Sequence, residues 1–115
     1  MKPTGVHHVS INVANLDRAV EFYTKTLGLT LRTDRPALRV EGVWLDIGPQ
    51  QVHLIVGDVP THNGQHFAIA VDDLDASLAE LRETGVQARG PVPVGEARQA
   101  FVTDPDGNLI ELQAR

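Results

Sequence analysis

The chain repeats itself, and the repeat limits the fold more than any other feature. His8-Val9-Ser10-Ile11-Asn12-Val13-Ala14-Asn15-Leu16-Asp17 lies over His66-Phe67-Ala68-Ile69-Ala70-Val71-Asp72-Asp73-Leu74-Asp75, 58 residues on (8 to 66), with His, Ile, Val, Leu and Asp in register. The same offset aligns Asp46 with Asp104, His53 with Glu111 and Leu54 with Leu112. An offset held through two separate blocks reads as two copies of one module. The modules cover residues 1–57 and 66–115, with a linker over residues 58–65 that is rich in Gly, Asp, Pro, Thr and Asn. At 115 residues the two copies make one domain with a modest core.

Each copy has the same internal plan. Val9, Ile11 and Val13 alternate with His8, Ser10 and Asn12, the period of a half-buried strand. Asn15 then suits a helix N-cap. Leu16, Ala19, Val20, Tyr23 and Leu27 follow at helical spacing, and Gly28 stands where a helix-ending glycine belongs. In the second copy Phe67, Ile69 and Val71 alternate. Asp72 or Asp73 caps a helix carrying Leu74, Leu78 and Leu81, and Gly85 closes it. Shorter β-like stretches are predicted over residues 38–40, 43–47 and 52–56, and again over 86–89, 100–103 and 109–113. The turn Asp104-Pro105-Asp106-Gly107-Asn108 suits a hairpin. Each module is therefore βαβββ. The expected class is α+β, eight strands curled into a cup with the helices on its outer face.

Alternation also sorts the polar residues. With Val9, Ile11 and Val13 packed on the helix, His8 faces the other way. His66 opposes Phe67, Ile69 and Val71. His53 opposes Val52, Leu54 and Val56, and Glu111 opposes Ile110 and Leu112. Four potential ligands thus lie on helix-free faces at related places in two modules. If the sheets form one cup, His8, His53, His66 and Glu111 converge on one metal. Three imidazoles and one carboxylate suit Zn, Ni, Co, Mn or Fe better than Ca or Mg. Four protein ligands in an octahedron leave two positions for water or a chelating substrate, an open and catalytic arrangement.

Composition removes other classes. The net charge is −5 and the basic residues form no stripe, so nucleic acid has no electrostatic footprint to meet. No run of the sequence is long and apolar enough for a bilayer. Residues 1–5 carry no apolar stretch of the kind a secretory signal needs. With zero cysteines there is neither a disulfide framework nor a thiolate metal site. A cytoplasmic location is the default expectation.

The residues His8-Val-Ser-Ile-Asn-Val-Ala-Asn-Leu-Asp, Ala19-Val-Glu-Phe-Tyr23 and Leu27-Gly28-Leu29 resemble the vicinal oxygen chelate superfamily of glyoxalases, bleomycin resistance proteins and extradiol dioxygenases. So do His66-Phe-Ala-Ile-Ala-Val-Asp-Asp-Leu and Asp104-Pro-Asp-Gly-Asn-Leu-Ile-Glu111-Leu. The likeness runs through essentially the whole chain. It implies metal ligands on the first and last strands of each module, where His8, His53, His66 and Glu111 stand.

The resemblance leaves three functions to compare. A glyoxalase-like isomerase or lyase would act on a small substrate with vicinal oxygens, with Glu111 as the base that moves a proton on carbon. The glyoxalase I branch commonly has a carboxylate where this chain has His53. An extradiol-type dioxygenase would need only Fe(II) on His8, His66 and Glu111. A bleomycin-resistance-type protein would bind a drug without metal or catalysis. Small members of the superfamily usually dimerise. The resemblance therefore implies a homodimer with two metals, each held by His8 and His53 of one copy and by His66 and Glu111 of the other.

Other polar residues have plainer readings. His7 has the opposite parity from His8 and is expected exposed, as is His62 in the linker. Phe22 and Tyr23 belong to the core, and Asp17 and Asp75 to helix first turns. Asp104 and Asp106 are turn formers. Arg39 and Glu41 face the cup only if residues 38–40 form a strand, in which case Arg39 could meet an anionic substrate. The loops 30–37 and 90–97 are where specificity is expected.

Overall fold

The computed structural model describes residues 1–114 and divides the chain into two compact units, the first ending at Pro60 and the second beginning at Thr61. Each unit is βαβββ, and the class is α+β. The first contains β1 (His8–Val13), α1 (Leu16–Glu21), β2 (Thr30–Leu31), β3 (Gly42–Ile47) and β4 (Gln50–Val56). The second contains β5 (His66–Ala70), α2 (Leu74–Glu83), β6 (Ala88–Val94), β7 (Ala97–Thr103) and β8 (Leu109–Ala114). The sheets have the same order, β1-β4-β3-β2 and β5-β8-β7-β6, with the first and last strands of each unit parallel and the other pairs antiparallel.

The alternating strands bury the expected faces. Val13, Leu45, Val52 and Leu54 pack with Ala19, Phe22 and Tyr23 in the first unit. In the second, Ile69, Ala100, Val102, Ile110 and Leu112 pack with Leu74, Leu78 and Leu81. Each helix therefore covers one face of its own sheet. Both helices are capped as the sequence foretells. The Asn15 side chain accepts from the Arg18 N–H at 3.0 Å, and Asp73 from the Ala76 N–H at 3.0 Å. After α2, Gly85 takes φ +86°, so its N–H reaches Arg82 O and the Val86 N–H reaches Leu81 O. No helix of the described residues is long and apolar enough to cross a membrane.

Three local expectations need correction. The first helix is not α-helical through to Leu27. After Glu21 it continues as a π-helical turn, Phe22–Thr26, with the Leu27 N–H bonded to Phe22 O. Residues 38–40 form no strand. The edge of β3 where they would pair is taken by Thr30 and Leu31, opposite Asp46 and Leu45, and the Arg32 N–H continues that edge to Trp44 O. Arg39, expected on a strand, lies exposed in a bend. Finally, much of the loop expected over 90–97 is strand, since β6 runs on to Val94. Pro91 and Pro93 are admitted because β6 is an edge strand, and the register shifts between Arg89 and Val92.

The repeat is also less regular than the offset suggests. His53 pairs with Trp44, while Glu111 pairs with Phe101. The equivalent of Trp44 is thus Phe101, 57 residues on (44 to 101), because the chain from Phe101 to its partner Glu111 is one residue longer than the chain from Trp44 to its partner His53. Asp46 and Asp104 are therefore not equivalent, contrary to the sequence alignment. Asp46 is a strand residue paired with Arg32 at 2.8 Å. Asp104 is buried at the turn, where its carboxylate accepts from the Asp106 and Asn108 N–H groups and from Asn108 Nδ2.

Candidate functional site

Register places the first pair of expected ligands on one face. β1 sets Ser10 opposite His53, so His8 and His53 share the face away from α1. Trp44 on β3 is opposite His53 and joins them. The three rings form a stack. His8 lies on His53 with centroids 3.9 Å apart and planes 12° from parallel, and Trp44 lies on His53 at 4.8 Å and 14°.

The central ring of this stack is fixed by its neighbours. His53 is only 8% exposed, and its Nε2 meets Gln51 Oε1 at 2.8 Å. Burial, and then the nearby His8, His7, Arg35 and Arg32, hold the His53 pKa below the usual imidazole value, so the ring is neutral at pH 7. His7 and His8 face each other through their Nδ1 atoms at 2.8 Å, one donating and the other accepting. Arg32, whose N–H bonds Trp44 O, is clamped by Asp34 and Asp46.

The stack bears on metal binding. An imidazole lone pair lies in the plane of its ring, and two rings stacked face to face do not direct lone pairs at one ion. As they stand, one of His8 and His53 can reach a given metal, and engagement of both requires His8 to turn out of the stack.

The second pair is not stacked in this way. β5 pairs with β8 so that Ala68 faces Glu111, which puts His66 and Glu111 on the same side of adjacent strands. The His66 Nδ1–H donates to Gly64 O at 2.8 Å, which settles the tautomer and leaves the Nε2 lone pair directed away from the backbone. This backbone anchoring is typical of metal-ligating histidines. Phe101 stands edge-on to His66 at 5.3 Å and directly opposite Glu111. Glu111 is half-buried and has no hydrogen-bond or ion-pair partner among the described residues.

Each unit thus brings two of the four expected residues to one sheet face. Among the described residues, no three His, Asp or Glu side chains form a group that could hold a metal. His62 is exposed, as expected. His7 is exposed too, but is engaged with His8. Trp44, Gln51, Phe101 and Arg89 are site neighbours that the sequence reading did not single out. The short Gly48-Pro49 turn carried the signal for Trp44: with a two-residue turn, Trp44 must fall opposite His53.

Comparison with known proteins bears out the resemblance. The family model described as Glyoxalase/Bleomycin resistance protein/Dioxygenase superfamily matches residues 5–112. The lactoylglutathione lyase of Escherichia coli O157:H7 is 30% identical, over 91% of this chain and 88% of its own length. The lactoylglutathione lyase GLX1 of Arabidopsis thaliana is 34% identical over 94% of this chain, which spans only 43% of that longer relative. Among solved structures, TnmS3, an antibiotic binding protein from Streptomyces sp. CB03234, is 30% identical with a TM-score of 0.79, covering 97% of this chain and 96% of that one. The two βαβββ units, their repeated sequence and these matches place the chain in the glyoxalase/bleomycin resistance protein/dioxygenase superfamily, to which it belongs.

Proposed function

We propose that the chain is a divalent-metal-dependent, glyoxalase-like isomerase or lyase acting on a small substrate with vicinal oxygens. The observation that carries this reading is the His66–Glu111 pair: an imidazole with its tautomer preset, beside a carboxylate with no partner among the described residues, on an open strand face. His8 and His53 repeat the positions 58 residues earlier (8 to 66), and the E. coli relative named lactoylglutathione lyase supports the reaction class.

In this reading His8, His53, His66 and Glu111 hold the ion, each unit contributing one pair. When bound, the metal supplies polarisation of a substrate carbonyl. Glu111 takes a proton from the carbon next to that carbonyl and returns it to the neighbouring carbon. Away from the ion, Glu111 has no other partner among the described residues to hold it back from the proton. Phe101 and Ala68 flank Glu111 across the sheet.

Chelation followed by readdition of Zn, Ni, Co, Mn or Fe tests the reading. Turnover of a thiol-adduct or dicarbonyl substrate should fall to background in the metal-free protein and return with one of these ions. Full turnover by protein shown to be metal-free would defeat it. His53→Ala reports the ligand number. A four-ligand site loses metal affinity sharply, whereas a site of His8, His66 and Glu111, the dioxygenase pattern, keeps it.

The proposed assembly is a homodimer with shared metal sites, since a two-fold axis creates two sites at once and covers open sheet edges. Light scattering should then give twice the 12.5 kDa chain mass. A monomer at assay concentration would count against it.

A second reading, drug binding without turnover, draws on the antibiotic-binding relative and on the Trp44–His53–His8 stack, a flat aromatic surface. Ligand affinity unchanged by chelation, with no turnover of any substrate, would select it.

A further inference from the structure

The second sheet carries a cation whose position neither the metal reading nor the fold explains. On β6, β7 and β8, Arg89, Phe101 and Glu111 are directly opposite one another in a single row. The Arg89 guanidinium sits over the Phe101 ring, 5.7 Å from its centroid. Beside it a cavity of about 130 Å³ is lined by Gln87, Arg89, Phe101, Val102, Thr103 and Leu109. Register puts Arg89, Phe101, Thr103 and Leu109 on the same face as His66 and Glu111.

Most other arginines near the two sheets are already engaged by protein oxygens. Arg32 is held by Asp34 and Asp46, and Arg98 by Asp75. Arg82 donates to Ala88 O and Gly90 O, and Arg35 to Val40 O. Arg89 donates to no protein oxygen among the described residues, and the ring contact is what positions it. A guanidinium resting on an aromatic face keeps its N–H edge free. That edge matches a carboxylate through two parallel hydrogen bonds. The cavity next to it is also lined by the polar residues Thr103 and Gln87 and by the apolar Leu109.

We infer that Arg89, held by Phe101, is a specificity-determining residue that binds a substrate carboxylate in the cavity between β6 and β8. The inference rests on the proposed enzymatic reading for its meaning in turnover, since the same row ends at Glu111. Two strand spacings, about 10 Å, separate the Arg89 and Glu111 backbones. The substrate class is therefore a small acid whose carboxylate lies several bonds from the carbons that exchange a proton.

The test separates binding from catalysis. Isotope-labelled protein is titrated with butyrate and, at equal ionic strength, with the neutral isostere butyramide. Butyrate should shift the amide signals of Arg89, Phe101 and Thr103 saturably, with an affinity at least about tenfold above that of butyramide, the size expected of charge-assisted hydrogen bonds. Arg89→Gln should abolish the difference and Arg89→Lys should restore part of it, with the rest of the spectrum confirming the fold. Equal responses to the two ligands, no response to butyrate, or a response that survives Arg89→Gln would overturn the inference.

This arm requires neither metal nor turnover, so its failure is distinct from failure of the metal reading. In turnover, Arg89→Gln should raise KM for an acidic substrate by about ten- to a hundredfold while kcat changes little, as for a contact equally strong in ground and transition states. An equal loss in kcat for acidic and neutral substrates would point instead to a structural role.

Discussion

Glu111→Gln is expected to lower kcat by about a hundred- to ten-thousandfold, the range general-base groups contribute. The substitution keeps the shape of the side chain and removes the charge with which it would take a proton or bind the ion. Glu111 makes no hydrogen bond or ion pair with a described residue, so no structural network is broken. Its strand neighbours Ile110 and Leu112, on the opposite face, hold β8 in the core regardless. The thermal midpoint should therefore stay within a degree or two, because substitutions away from the core usually cost no more than about 0.5 kcal/mol.

Metal content, measured on the same samples, separates two causes of the loss. If Glu111 is only a ligand, saturating metal should recover most of the activity. If it moves the proton, activity stays low with the metal site full. A variant within tenfold of the native kcat at all metal concentrations would remove Glu111 from the role of base.

Leu54→Ala is expected to destabilise the protein by about 2–5 kcal/mol. Leu54 is fully buried on β4, an interior strand that pairs with β1 on one side and β3 on the other. Its side chain faces α1, between Ile11 on β1 and Val43 on β3. Truncation leaves a cavity that two hydrogen-bonded neighbours prevent from collapsing. A chain of this size has about 5–15 kcal/mol of stability in all, so the loss is a large fraction of it. Urea unfolding should show a lower midpoint at unchanged m-value. Leu38→Ala is the control: Leu38 is 54% exposed, so its truncation should cost about 0.5 kcal/mol or less. Equal effects of the two substitutions would contradict the burial described for β4.

The fold was legible because its signals are local. Alternation over His8–Val13 and His66–Ala70 defines half-buried strands, and Asn15 and Asp73 cap the helices that follow. Tyr23 and Phe22 read as core from their spacing, and both are buried. The failures lie where pairing outweighs local pattern. Residues 38–40 look like a strand but have no free edge to join, because Thr30 and Leu31 already occupy it. Residues 90–94 contain two prolines and look like a loop, yet they belong to β6, an edge strand that tolerates them.

The candidate site divides in the same way. Residue type and parity within a strand are properties of the sequence, and they singled out His8, His53, His66 and Glu111 and the faces they share. What each side chain meets depends on register between strands, which a turn sets through its length. One extra residue between the paired positions of β7 and β8 makes Phe101, not Val102, the partner of Glu111, and so brings Arg89 into that row. Pairing likewise puts Trp44 against His53, which closes the ring stack with His8 and leaves His53 buried and neutral. The sequence alone determined which groups stand on the helix-free faces, because a strand alternates with period two whatever it pairs with. Only the tertiary structure decided which rings stack, which arginine rests on a ring and which carboxylate has no partner among the described residues, because those depend on neighbours far apart in the chain.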